Sequence, residues 1–183
     1  MKQILFMIGS LRKGSFNRQV AKKVEELLEG KARVAYLEYA DIPYMNQDLE
    51  NPDPAEITRV KQEVSEADGI WIFTPEYNRS YSGVLKNLLD WLSRPLVDGD
   101  LSKGTAISGK KVMITGVGGR NKTQGSRDKL YDLLKVMKVE ALDEGFGIMI
   151  NPEAYKSGVL TISDEVVEGL EQQVKAFLEF LEA

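Results

Sequence analysis

Residues 69–93 read GIWIFTPEYNRSYSGVLKNLLDWLS. The first five, Gly69-Ile70-Trp71-Ile72-Phe73, are an unbroken apolar run. A run without polar alternation predicts a strand buried on both faces, as in the middle of a parallel sheet. A polar loop follows, Thr74 to Ser82, and then Val84, Leu85, Leu88, Leu89 and Leu92 recur at helical spacing over about 83–93. Trp91 reads as core, and Lys86 with Asp90, four residues on, reads as a surface ion pair. Strand, loop and helix in this order make one βα step.

The step repeats on both sides. Toward the start, QILFMI at 3–8 predicts a strand. Val20, Ala21, Val24, Leu27 and Leu28 predict a helix at about 17–28, with Gly30 just past its end. A strand is expected at 32–39 and a loop at 40–53. Asp53-Pro54-Ala55-Glu56 predicts a helix start, with Asp53 as the capping residue and Pro54 in the first position, running to about 67. Toward the end, 94–109 is a long polar stretch with no assignment. Lys111–Thr115 predicts a fourth strand, followed by a glycine-rich loop, Gly116-Val117-Gly118-Gly119. Leu130, Leu133, Leu134 and Met137 predict a helix at about 126–138, and a last helix is expected at about 164–182. A fifth strand fits either 139–142 or 146–150.

Alternating strands and helices imply parallel strands joined by right-handed crossovers, with helices on both faces. The expected fold is α/β, a three-layer sandwich about a five-stranded parallel sheet, and residues 1–183 suit one domain. In such sheets ligands bind beyond the carboxyl ends of the strands. The loops after strands one, three and four are therefore the ones to read for function.

Composition narrows the chemistry. Hydrophobic residues make up 43% of the chain and charged residues 28%, enough for a core and a solvated surface. A net charge of −4 argues against a nucleic-acid partner, and no apolar stretch is long enough to span a bilayer. The opening apolar run leads straight into the charged stretch LRKGSFNR, so it reads as a buried strand and not a secretion signal. With no cysteine and no histidine, disulfides, thiol nucleophiles and histidine acid–base chemistry are excluded. A cofactor carrying its own reactivity suits such a chain.

The loop after strand one is Gly9-Ser10-Leu11-Arg12-Lys13-Gly14-Ser15-Phe16-Asn17. It leads into a helix N-terminus, where unpaired N–H groups and the positive dipole end favour anions. Ser10, Ser15 and Asn17 add side-chain hydrogen-bonding groups, and Arg12 and Lys13 add charge. The set suits a phosphate monoester; it also suits plain helix capping, and the residues alone do not choose. Gly9 and Gly14 have nucleoside-triphosphatase spacing, but Ser15-Phe16 stands where that motif needs Lys-Ser or Lys-Thr. The strand ends Ile8-Gly9-Ser10 and Phe73-Thr74-Pro75 lack the aspartates of a phospho-receiver. In the loop after strand three, Tyr77 or Tyr81 suits a place beside a planar ring.

GSLRKGSFN at 9–17 and TPEYNRSYSGVLKNLLDWLSRP at 74–95 together resemble the NADPH-dependent FMN reductase family, flavodoxin-like enzymes that include quinone, azo and chromate reductases. GVGGR at 116–120 matches a third, weaker family loop. The resemblance implies strand order 2-1-3-4-5 and bound FMN. It implies hydride transfer from NADPH or NADH to a small acceptor: a flavin, quinone, azo compound or metal oxyanion. It places Ser10, Arg12, Ser15, Phe16 and Asn17 at the FMN phosphate, and Pro75, Glu76, Tyr77, Asn78 and Ser82 along the ring. Gly116, Gly118 and Gly119 match the loop passing close to that ring, with the flavin and not a protein side chain carrying the chemistry. Arg79 and Arg120 are the candidate substrate-binding residues, with Arg12 and Lys122 beside them. Arg79 departs from the glycine, and Ser82 from the proline, that many members carry. The resemblance also implies a cytoplasmic homodimer or homotetramer, with 83–109 as interface. The alternative is a flavodoxin-type electron carrier binding FMN without NAD(P)H reductase activity, against which Arg12, Arg79 and Arg120 stand.

Overall fold

The computed structural model describes every residue except 98 and 144, and of Leu101 the backbone alone. Six strands, β1 Gln3–Ile8, β2 Arg33–Tyr36, β3 Gly69–Thr74, β4 Lys111–Gly118, β5 Glu140–Ala141 and β6 Phe146–Met149, form one parallel sheet. The order is β2-β1-β3-β4-β5, with β6 also on β4. The helices are α1 Phe16–Leu28, α2 Ala55–Glu66, α3 Gly83–Leu92, α4 Gln124–Val136, α5 Ala154–Ser157 and α6 Asp164–Glu182.

The apolar runs are divided between the two faces by the two-residue period of a strand. Ile4, Phe6, Ile8, Trp71, Phe73 and Met113 turn to one side, where Val20 and Val24 of α1 and Leu170, Val174 and Phe177 of α6 cover them. Leu5, Met7, Ile70, Ile72, Val112 and Ile114 turn to the other, under Val60 and Val64 of α2, Leu85 and Leu88 of α3, and Leu130 and Leu134 of α4. On the α6 side, Trp71 Nε1 donates to Thr115 Oγ1 at 2.8 Å, and Thr115 Oγ1 donates to Gln173 Oε1 at 2.6 Å. These buried polar groups therefore keep their partners.

Three local expectations change. Asp53 does not cap α2: Pro54 holds the cap position, without a side-chain cap bond. The Asp53 carboxylate instead meets Lys61 Nζ at 2.6 Å, where the buried lysine needs a counter-charge more than the helix needs a cap. Both candidate fifth strands exist. β5 pairs with Lys111–Val112 and β6 with Thr115–Gly118, so one lane of the sheet is filled in two pieces. With β6 alongside, β4 runs on to Gly118, and Gly116 and Gly118 are strand residues where a loop was expected. In the 94–109 stretch a 3-10 turn at Leu101–Lys103 and a Pro95–Thr105 bridge are formed.

Candidate functional site

Strands β1, β3 and β4 end side by side, and their following loops meet. Gly9 N donates to Phe73 O at 2.8 Å, which brings the first loop against the second. A Cβ on Gly9 would stand 3.0 Å from Pro75 Cδ and 3.1 Å from Phe73 O, so the close approach favours glycine. Two buried hydroxyls pin the start of the loop: Ser82 Oγ donates to Gly9 O at 2.6 Å and Tyr39 OH to Ile8 O at 2.5 Å. Burial pushes the Tyr39 phenol pKa up, which keeps it a donor. Ser15 then caps α1, its Oγ accepting from Arg18 N at 3.4 Å.

Beyond these ends lies a cleft of about 350 Å³. The first loop contributes Ser10, Arg12, Ser15, Phe16 and Asn17, the second Pro75, Glu76 and Tyr77, and the end of β4 Val117, Gly118 and Gly119. Three loops read separately from the sequence thus converge on one space. Ser82 lies outside it, bordering a neighbouring cavity of about 370 Å³ with Tyr44 and Val84. Gly116 is also outside. It lies under α4, where an added Cβ would overlap Thr123 Oγ1, so its small size serves packing and not the cleft. Asn78, Arg79 and Arg120 are exposed and line neither cavity.

Asn78 and Arg79 form the tip of a two-residue turn closed by Tyr77 N to Ser80 O at 2.8 Å and Ser80 N to Tyr77 O at 3.0 Å. Both have positive φ, 52° and 59°, the geometry of a tight hairpin turn. Glycine is the residue without strain in that geometry, which gives the Arg79 departure a physical meaning. Replacing Arg79 with glycine should stabilise the folded protein by about 0.5–1 kcal/mol, the relief of left-handed strain less glycine's greater chain entropy. Urea unfolding measures this; a loss of stability would contradict the turn.

The fourth wall was not foreseen. Ile150, Ala154, Tyr155 and Gly158 line the cleft from the segment after β6. Gln19 fastens that segment to α1 with both ends of its amide: Nε2 donates to Gly158 O and Oε1 accepts from Leu160 N, each at 2.8 Å. Phe16 meets Tyr155 edge to face at 6.2 Å, and the Arg12 guanidinium lies 4.6 Å over the Phe16 ring. The signal was the choice between two fifth strands. A strand ending at about 150 makes 151–158 another loop at a carboxyl end.

The chemistry of the lining points to a phosphorylated ligand with a flat ring. Arg12 brings a guanidinium to the cleft, and the α1 N-terminus adds its dipole. Among the described lining residues Glu76 is the sole carboxylate, and its oxygens already accept from Asn121 Nδ2 and Ser126 N. Buried Asn17 Oδ1 has no partner among the described residues, which suits a ligand hydroxyl. A Cβ on Gly118 would stand 2.6 Å from Thr123 Cγ2, so this glycine lets the end of β4 pack against the entry to α4 while its backbone lines the cleft. These residues fit an FMN phosphate, its hydroxylated chain and its ring system.

Residues 1–150 match the family described as NADPH-dependent FMN reductase. The quinone reductase of Escherichia coli strain K12 is 34% identical over 98% of this chain and 95% of its own. A 2-hydroxy-1,4-benzoquinone reductase from a Burkholderia species is 42% identical over 93 residues, 51% of each protein. Among solved structures, FerB of Paracoccus denitrificans, a flavoenzyme NAD(P)H:(acceptor) oxidoreductase, superposes with a TM-score of 0.85 at 31% identity, over 100% of this chain and 98% of that one. A flavodoxin from the domain Archaea, 12% identical at a TM-score of 0.64, shares the fold alone.

Proposed function

The chain belongs to the NADPH-dependent FMN reductase family, and from that premise we infer that it is an NAD(P)H-dependent FMN oxidoreductase acting on quinone-like acceptors. The observation that carries this reading is the convergence of the first loop with Arg12, the Pro75–Tyr77 turn and the Gly118-Gly119 backbone on one cleft. When bound, FMN supplies the chemistry, receiving hydride from the nicotinamide and passing electrons to the acceptor.

The protein's own part is to bind, orient and leave one side of the cleft open. In this reading Ser10, Arg12, Ser15 and Asn17 hold the phosphate end with the α1 N-terminus. Phe16 contributes its backbone N–H and, through Arg12 and Tyr155, closes that end of the cleft. Pro75, Glu76 and Tyr77 border the ring through a backbone that Thr74 and Ser126 hold from below. Tyr77, 54% exposed at the mouth, offers an aromatic edge to an incoming ring. Purified protein loaded with FMN should consume NADPH when a benzoquinone is added. Retention of FMN with no such consumption would overturn the reading.

An electron carrier is the lesser alternative. Flavodoxins share the fold at low identity, whereas relatives 30–34% identical over nearly the whole chain are named reductases. Stepwise dithionite titration separates the two: a reductase bleaches in one two-electron step, and a carrier holds a stable one-electron state.

Preference for NADPH over NADH rests on two exposed cations, Arg79 and Arg120, close in sequence to the lining residues Tyr77 and Gly119. An exposed ion pair contributes up to about 1 kcal/mol, or roughly 5-fold in binding. Arg120→Ala and Arg79→Gly should each raise KM for NADPH by about that factor and leave KM for NADH unchanged. Equal changes for both donors would remove these residues from recognition of the 2′-phosphate.

Assembly into dimers or tetramers is supported by the flank that 83–109 builds, where Tyr44, Leu49, Leu96 and Val97 are exposed apolar side chains. Light scattering that returns a monomer mass would remove it. No helix among the described residues is long and apolar enough to cross a membrane, and a cytoplasmic location is part of the same proposal.

A further inference from the structure

We propose that Glu76 is a positioning residue: its carboxylate caps α4 from the neighbouring loop and so fixes the turn that borders the cofactor ring. This rests on the FMN reading above. Helix α4 enters through Thr123, a left-handed residue whose side chain makes no capping bond to the helix. The third helical residue, Ser126, presents the backbone N–H that a helix cap ordinarily receives. Here Glu76 Oε2 accepts that N–H at 2.9 Å, and Glu76 Oε1 accepts from Asn121 Nδ2 on the approach to α4. A carboxylate at this point also faces the positive end of the helix dipole.

The attachment is repeated along the turn. Buried Ser126 Oγ donates to Pro75 O at 2.9 Å and lies 2.9 Å from Thr74 Oγ1, which itself donates to Pro75 O at 2.9 Å. Residues 75 and 76 are thus bonded to the first turn of α4, and Thr74 shares the Pro75 carbonyl with it. The closeness leaves Gly125 little space, since a Cβ there would stand 3.3 Å from both Glu76 Oε2 and Arg79 O. The Glu76 side chain therefore points at α4, while the backbone of 75–77 is what borders the ring. Its carboxylate is a strut, and α4 is the element that sets where the turn stands.

Exchanging donor and acceptor tests this. Glu76→Ala removes the acceptor of both bonds, and Asn121→Asp sets two carboxylates together; Glu76→Gln with Asn121→Asp restores one donor and one acceptor. We measure FMN dissociation constant, the absorbance spectrum and reduction potential of bound FMN, and unfolding of the apoprotein. Each single variant should weaken FMN binding about 10-fold, a little over one net hydrogen bond, and shift spectrum and potential. The double variant should return all three toward wild type. If the singles lower stability but leave affinity, spectrum and potential unchanged, Glu76 is only a helix cap and the proposal fails. It fails equally if the losses persist in the double variant, because the carboxylate then acts on the ring directly. Asn121→Ala, at an exposed position, gives the same reading if the aspartate variant does not fold. A wild type that binds no FMN overturns the functional reading and this proposal with it, whereas variants that match a wild type that does bind FMN overturn this proposal alone.

Discussion

Replacing Arg12 with alanine and Ser15 with glycine in the same chain should raise the FMN dissociation constant by roughly 100- to 10,000-fold. Each charge-assisted hydrogen bond contributes about 1.5–3 kcal/mol, and about 1.4 kcal/mol is tenfold in binding. Glycine is chosen for Ser15 because that residue also caps α1. Glycine at a cap position costs only a few tenths of a kcal/mol, whereas alanine costs about 1 kcal/mol. The loss in affinity is then read at the phosphate and not through a frayed helix. Riboflavin, which lacks the phosphate, is the control: its affinity should change by no more than a few-fold. If riboflavin weakens as much as FMN, the first loop is no phosphate cradle and the orientation of the ligand is reversed. Fluorescence quenching of either flavin measures both constants on one sample.

Phe177→Ala should destabilise the fold by about 3–5 kcal/mol. Phe177 is fully buried and meets the Trp71 ring edge to face at 5.3 Å. It also fills the space over Gly69, where an added Cβ would stand 2.9 Å from its Cζ. Alanine would leave a hole beneath α6, and the buried Trp71 has no room to move into it without breaking its bond to Thr115. Folded proteins hold only about 5–15 kcal/mol of net stability, so this one change removes a large part of it. Gly69 opens β3, at the end of the strand away from the cleft. FMN affinity of the folded fraction should therefore stay within a few-fold of wild type. A loss below 1 kcal/mol in urea unfolding would mean that α6 does not close the core. The point bears on the family match, which covers residues 1–150. Residues 151–183 supply α6 and one wall of the cleft, so they belong to the same folded unit in this reading.

The sequence disclosed those parts of the molecule whose pattern is set by burial alone. The runs of β1 and β3 are buried on both faces, and the apolar stripe expected over about 164–182 is α6. The two main loops were legible because glycine, proline and clustered hydroxyls mark strand-to-helix turns. Features decided by a distant partner were not legible. Asp53 looks like a cap until Lys61 is known to be buried beside it. Gly116-Val117-Gly118 looks like a loop until β6 is known to lie alongside. Glu76 looks like a ligand contact until α4 is known to lack a side-chain cap of its own. In each case the local preference was real and a charge or backbone group brought close only by the fold outweighed it.

The divided lane beside β4 has a consequence for how molecules of this protein meet. A sheet margin with a long row of unpaired N–H and C=O groups invites another chain to add itself as a further strand. On this margin an intruder finds the two residues of β5, an interruption, and then the four of β6. On the opposite margin it finds the four of β2, led by the exposed Arg33. Neither offers a template long enough to recruit a neighbour or seed fibrillar growth. Self-association is left to the helical sides, where side chains and not backbone choose the partner.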